Sequence, residues 1–232
     1  TVTGSRFLVE TPDARVLVDC GLFQGLKQLR LRNWQRFPVD PSSIDAVVIT
    51  HAHVDHVGFL PALVRDGFGG TVHATADTRA LAGIVLPDSG RLQEEEAAYA
   101  NRKGYSKHRP ALPLFTEADA NRSLRSFESR PFHHEHTIAP GVHLTLQPAG
   151  HILGSATATL RLDAAAGGRV VFSGDLGRPT HPLLVPPSPI GTARVVVMES
   201  TYGNRDHDDE GVIERFADTI TRTAARGGTV LI

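Results

Sequence analysis

Apolar and polar positions along the chain follow two rhythms. Short blocks with strand character fall at residues 6–10, 15–19, 44–49, 71–75, 142–146, 156–162, 168–172 and 193–198. The first two flank Pro12-Asp13, a hairpin turn signal. Residues 44–49 are almost wholly apolar, the pattern of a buried central strand, and 193–198 reads the same way. Helical periodicity is expected over 59–64, 77–86, 88–104 and 211–226, and a capping-box pattern opens another helix at Thr116. Residues 27–37 read as a helix or an irregular basic segment ending at Pro38, 182–189 as a proline-rich loop, and 228–232 as an apolar strand. Strands alternating with helices predict an α/β fold.

One layout recurs. A strand ends, and the loop after it carries His, Asp or Glu, often beside Gly. Asp19, residues 51–56, His151, Asp175 and Glu199 all sit at such ends, so they are expected to converge on one sheet edge. No internal sequence repeat accounts for this.

Composition narrows the field without deciding it. The 232 residues are 41% hydrophobic and 21% charged, ordinary values for a folded domain. No apolar run is long enough to span a membrane, and no basic-then-apolar leader opens the chain. The single Cys20 cannot form an internal disulfide, which makes a cytoplasmic location the expectation. The chain opens without Met and its last apolar run meets no turn signal, so it reads as a fragment of a longer protein. A net charge of −1 announces no nucleic acid. Basic residues do cluster at Lys27, Arg30, Arg32 and Arg36, and again at Arg102, Lys103, Lys107 and Arg109, but a solvated helix face explains either cluster equally well.

The chemistry concentrates in Thr50-His51-Ala52-His53-Val54-Asp55-His56-Val57-Gly58. Three imidazoles and a carboxylate packed this tightly suit a transition-metal site far better than a core. A second His-rich stretch, 132–136, is read as an exposed loop, since no carboxylate or glycine turn organises it. His73, within a strand, is read as structural.

His51-Ala-His53-Val-Asp55-His56, together with Asp19, Gly150-His151 and Ser173-Gly174-Asp175 in that order, resembles the metallo-β-lactamase superfamily. Asp19-Cys20-Gly21-Leu22-Phe23-Gln24-Gly25, the segment 150–155 and Glu199-Ser200-Thr201-Tyr202-Gly203 narrow the resemblance to its β-CASP nucleases. That group includes bacterial ribonucleases and the endonuclease subunit of the eukaryotic cleavage and polyadenylation specificity factor. The resemblance implies an αββα sandwich, a metallo-β-lactamase domain over residues 1–203 and the start of an inserted β-CASP cap over 204–232.

It also implies two zinc ions. His51, His53 and His151 would hold one, Asp55 and His56 the other, with Asp175 bridging. A further family His that completes the second site has no counterpart in these 232 residues. Two cations roughly 3.5–4 Å apart would activate water and clamp a phosphoryl group. Asp55, Asp175 and Glu199 are the candidate catalytic residues, Glu199 in a supporting role, and Asp19 is read as the partner that fixes a ligand His tautomer. The implied activity is a ribonuclease cutting single-stranded RNA internally, from the 5′ end, or both, with a homodimer as a further expectation. A hydrolase of small esters, thioesters or lactones and a non-catalytic RNA-binding paralogue are the alternatives.

Overall fold

The computed structural model describes residues 3–163, 168–205 and 211–231. These divide into two compact units, Thr1–Glu199 and Ser200–Ile232. In the first unit the strands are β1 (Phe7–Glu10), β2 (Arg15–Val18), β3 (Ala46–Val48), β4 (Thr71–Ala74), β5 (Phe127–Ser129), β6 (Glu135–Ala139), β7 (Val142–Pro148), β8 (Ala156–Leu162), β9 (Gly168–Phe172) and β10 (Val195–Val197). Its helices are α1 (Lys27–Arg30), α2 (Val54–Val57), α3 (Leu60–Arg65), α4 (Ala76–Lys103) and α5 (Glu117–Ser123).

The strands form two five-stranded sheets, ordered β1-β2-β3-β4-β5 and β10-β9-β8-β7-β6. In the first, β2 to β5 run parallel behind an antiparallel β1. In the second, β6 to β9 are antiparallel and β10 joins β9 in parallel. Val16, Val18, Ala46 and Val48 of the first sheet meet Val142, Leu144, Leu146, Ala158, Leu160 and Phe172 of the second in one buried cluster. The opposite face of the first sheet, with Leu17, Val47, Ile49 and Val72, buries Leu60, Leu63, Leu86 and Phe115 from the helical layer. Alternate residues of β2 and β3 thus serve two cores, which is why both strands are apolar apart from Arg15 at the exposed start of β2.

Several expectations are corrected. Residues 77–86 and 88–104 form one 28-residue helix, α4, that runs straight through Pro87. Burial of Leu86, Gly90, Ala97 and Ala100 along that helix offsets the backbone bond that Pro87 cannot make. Residues 27–37 are a four-residue α1 followed by a 3₁₀ turn, Leu31–Trp34. Within 132–136, Glu135 and His136 already belong to β6, and His133 alone takes a left-handed φ of 64°. The strand at 193–198 is not buried: β10 is a sheet edge with Val195 and Val196 about half exposed. β5 carries no clear sequence signal, as its three residues alternate with polar neighbours. His73 is buried in β4, consistent with a structural role. The turn expected between β8 and β9 and the end of the 228–232 strand lie outside the described residues, and 229–231 show no strand.

The second unit holds α6 (Val212–Ala225), entered through Gly211 at φ 66°. Ile213, Phe216 and Ile220 share one side of it and are exposed. No described helix is long and apolar enough to cross a membrane.

Candidate metal centre

Five strand ends build the site. β3 ends at Val48, and Thr50 to His53 then run to the N-terminus of the single-turn α2, which carries Asp55 and His56. β2 delivers Asp19, the loop between β7 and β8 delivers His151, β9 delivers Asp175, and β10 delivers Glu199. All five ends lie on the same edge of the paired sheets, fixed by hydrogen bonds between their loops. Cys20 N–H donates to the His56 carbonyl at 2.7 Å, Ala156 N–H to Thr50 at 2.8 Å, and Gly177 N–H to Ala149 at 2.8 Å.

Two glycines allow these loops to touch. A Cβ on Gly21 would lie 1.6 Å from the Asp55 carbonyl oxygen, and one on Gly177 would lie 1.6 Å from that of Gly150. Any side chain at either position would push apart the loops that carry the ligand candidates.

The donor atoms of His51, His53, His151 and Asp175 all fall within 4.8 Å of one another. Nε2 of His51 and Nε2 of His151 each lie 3.1 Å from Nδ1 of His53. Asp175 Oδ2 lies 3.7 Å from the first and 3.6 Å from the second. Donors about 2.0–2.1 Å from a tetrahedral ion stand about 3.3–3.4 Å apart, so these spacings bracket an ion-binding set. The other oxygen of Asp175, Oδ1, lies 3.2 Å from Nε2 of His56. Asp175 therefore addresses His51 and His151 with one oxygen and His56 with the other. Asp55 lies in the first turn of α2, outside the four-residue cluster but close enough to act electrostatically on His53.

The surrounding hydrogen bonds set the tautomers. Asp19, 2% exposed and at φ 58°, accepts from Thr50 N–H at 2.8 Å, from Thr50 Oγ1 at 3.0 Å and from His56 Nδ1 at 2.7 Å. A carboxylate only accepts, so Nδ1 of His56 carries a proton toward Asp19, and Nε2 carries a second toward Asp175 that a cation would have to displace. Thr50 gives its one hydroxyl proton to Asp19. Its oxygen must then accept from Nδ1 of His51, 3.1 Å away, which leaves Nε2 of His51 bare. Three imidazole nitrogens and a carboxylate oxygen converging on one point make sense around a cation, and the donor set fits a metal ion.

Charge follows the same logic. Burial, then the neighbouring His56, hold His51 far below the ordinary imidazole range, so it is neutral. Burial and His151 lower His53 in the same direction. Burial also opposes charge on His56, but its bonds to Asp175 and Asp19 outweigh it and raise the pKa. Asp175 is the counterpart: burial raises it, and the bond from His56 more than reverses that.

Glu199 points back into the same loops. Its Oε1 accepts from Leu176 N–H at 2.5 Å, next to Asp175, and its own N–H donates to Ser173 Oγ at 3.1 Å. Sequence reasoning passed over the hydroxyls. Thr50 links Asp19 to His51, and Ser155 Oγ accepts from His151 N–H at 2.9 Å. Thr75 and Thr78 both donate to the Gly154 carbonyl, tying the His151 loop to the start of α4. The available signal was position alone, each hydroxyl lying at a strand end or first helical turn.

Comparison with known proteins gives the same picture. The chain is 36% identical to ribonuclease TTHA0252 of Thermus thermophilus over all of its own length and 48% of that protein. It is 32% identical to the transcription termination factor FttA of Methanocaldococcus jannaschii, over 98% of this chain and 34% of that one. It is also 32% identical to cleavage and polyadenylation specificity factor subunit 3-I of Arabidopsis thaliana, over 94% of this chain and 29% of that one. The chain thus spans about half the length of the first of these relatives and about a third of the other two. These similarities bear out the resemblance to the β-CASP branch. The model of the metallo-beta-lactamase superfamily matches residues 2–213, and the chain belongs to that superfamily.

Proposed function

We propose that the protein containing this chain is a zinc-dependent ribonuclease that hydrolyses phosphodiester bonds of single-stranded RNA. The observation that carries this reading is the split carboxylate of Asp175, with Oδ2 facing His51 and His151 and Oδ1 facing His56. A carboxylate so placed suits a pair of cations, the arrangement used for in-line displacement at phosphorus. The ribonuclease and RNA-processing names among the relatives support RNA as the substrate class.

In this reading His51, His53 and His151 would hold one zinc and His56 and Asp55 the second, with Asp175 shared between them. When bound, the ions supply charge stabilisation for the phosphoryl oxygens and lower the pKa of water. Asp19 holds the His56 ring so that Nε2 faces inward. Asp55, outside the tight cluster of four, would orient the attacking water besides serving as a ligand. Glu199 positions Asp175 by gripping the following N–H. The compact division at Glu199 supports a metallo-β-lactamase domain ending near residue 203, with 204–232 beginning a cap. A cytoplasmic location, supported by the lone, buried Cys20, and a homodimer belong to the same reading.

The test uses the full-length protein, zinc and an end-labelled single-stranded RNA. Asp175→Ala is expected to abolish cleavage while circular dichroism shows an intact fold. Undiminished cleavage by that variant would sink the site assignment. Turnover of thioesters or lactones with RNA left whole would select the small-molecule hydrolase instead.

A further inference from the structure

From the site edge the chain enters a segment that the metal chemistry does not use. Residues 20–39 contain no Asp or Glu but carry Lys27, Arg30, Arg32 and Arg36, in a chain whose net charge is −1. Interleaved with these cations are exposed apolar side chains: Leu26 at 58%, Leu31 at 53% and Trp34 at 60%, the single tryptophan of the sequence. A solvated basic face has no need of an exposed indole beside it.

The segment is anchored to the site and internally braced. Cys20 N–H and Leu22 N–H pair with the carbonyls of His56 and Val54, so its first residues run along the ligand-bearing α2. Asn33, 8% exposed, accepts from Phe23 N–H at 2.9 Å and donates to the Phe23 carbonyl at 2.8 Å, closing the loop at its base. Beneath it the Arg6 guanidinium lies 3.9 Å from the Phe59 ring, 5.0 Å from Phe23 and 5.6 Å from Phe37. Trp34, the next residue after Asn33, is thus held outward on a fixed turn. An aromatic surface presented this way binds at little cost in ordering.

We infer that Trp34, with Lys27, Arg30 and Arg32, is a binding platform for the single-stranded RNA substrate beside the metal centre. The indole stacks on a base and the cations neutralise neighbouring phosphates. Stacking on an exposed aromatic tolerates any base, and local positive charge complements the strand. The inference takes its ligand from the nuclease reading above. Arg36 lies near Asp40 and the Arg32 guanidinium lies 5.5 Å from the Phe23 ring, so the two charges tested are Lys27 and Arg30.

The experiment measures RNA affinity by fluorescence anisotropy on the full-length protein, made cleavage-deficient by Asp175→Ala. Turnover of bis(p-nitrophenyl) phosphate is measured separately, in the protein with Asp175 intact. Trp34→Ala is expected to weaken RNA binding about tenfold and Trp34→Phe to restore most of it. Both should leave turnover of the small phosphodiester unchanged. Lys27→Ala with Arg30→Ala should reduce the slope of log affinity against log salt by about 1.4.

Unchanged RNA affinity in Trp34→Ala would overturn the platform. So would a change of oligomeric state with affinity intact, which would make the face a contact between copies. Equal loss of both activities would also overturn it, by assigning Trp34 to folding. Trp34-dependent binding of an RNA that the Asp175-intact protein does not cut would support the platform and remove the nuclease reading alone.

Discussion

Asp19 accepts three hydrogen bonds from two residues, and through them it sets the proton positions of both His56 and, by way of Thr50, His51. Its backbone stands in the left-handed region, uncommon for a residue with a side chain, and from there Oδ1 takes Thr50 N–H while Oδ2 takes the Thr50 hydroxyl and His56 Nδ1. Asn at this position keeps one accepting oxygen but turns an NH₂ group toward one partner. If that partner is Nδ1 of His56, that nitrogen gives up its proton and the ring keeps the one on Nε2, the nitrogen that faces Asp175. Asp19→Asn is therefore expected to weaken metal binding about 10- to 100-fold while leaving the fold intact. Competition with a chromophoric chelator reads the affinity, and an unchanged constant would remove Asp19 from the site. The ligand candidates themselves were legible in the sequence because His and Asp rarely crowd so tightly without a cation. The hydroxyl of Thr50 was not, since one Thr beside a His looks like any strand end.

Elements were legible where periodicity and punctuation agreed, and misread where they conflicted. Pro87 looks like a helix stop, and the pattern was divided there, yet α4 continues for 16 residues beyond it. The decisive fact is tertiary. A Cβ on Gly90 would stand 2.6 Å from the backbone nitrogen of Glu117, so α5 packs directly on the turn after the proline. Pro87→Ala restores an N–H that can bond the Gly83 carbonyl and removes the ring from the preceding turn. The gain, up to about 3 kcal/mol for a helix interior, exceeds the roughly 0.4–1 kcal/mol by which proline restricts the unfolded chain. A net stabilisation of about 2 kcal/mol is expected, read as a higher midpoint in urea. A lower midpoint would mean that the ring itself packs productively. β10 was misread for a related reason. Three valines in a row imply two covered faces, but in this unit that strand is an edge with one hydrogen-bonded neighbour, β9.

At the scale of the whole molecule, the fold depends on two apolar sheet faces meeting, and that meeting was foreseeable from alternating strands such as β7. What pattern could not reveal is a polar group closed between the layers. His73 is 2% exposed in β4, with Nδ1 accepting from Arg130 Nε at 3.1 Å and Nε2 without a partner. Nε2 of His136, on β6 of the facing sheet, is likewise buried and unpartnered. Burial, then Arg130 and His136, push the His73 pKa down to about 4. Folded His73 therefore stays neutral while the unfolded chain takes up its proton near pH 6.5. Its contribution to stability is complete above that pH, declines as pH falls toward about 4, and changes no further below. The loss over that window is on the order of 3 kcal/mol at most, because neighbouring groups relax as the cluster charges. His73→Gln keeps an acceptor for Arg130 but cannot titrate. The difference in unfolding free energy between wild type and His73→Gln should accordingly shift in favour of the variant between pH 6.5 and 4. Parallel pH profiles would show that the acid sensitivity of the molecule arises elsewhere, and that the histidine closed between the sheets takes up its proton as readily in the fold as outside it.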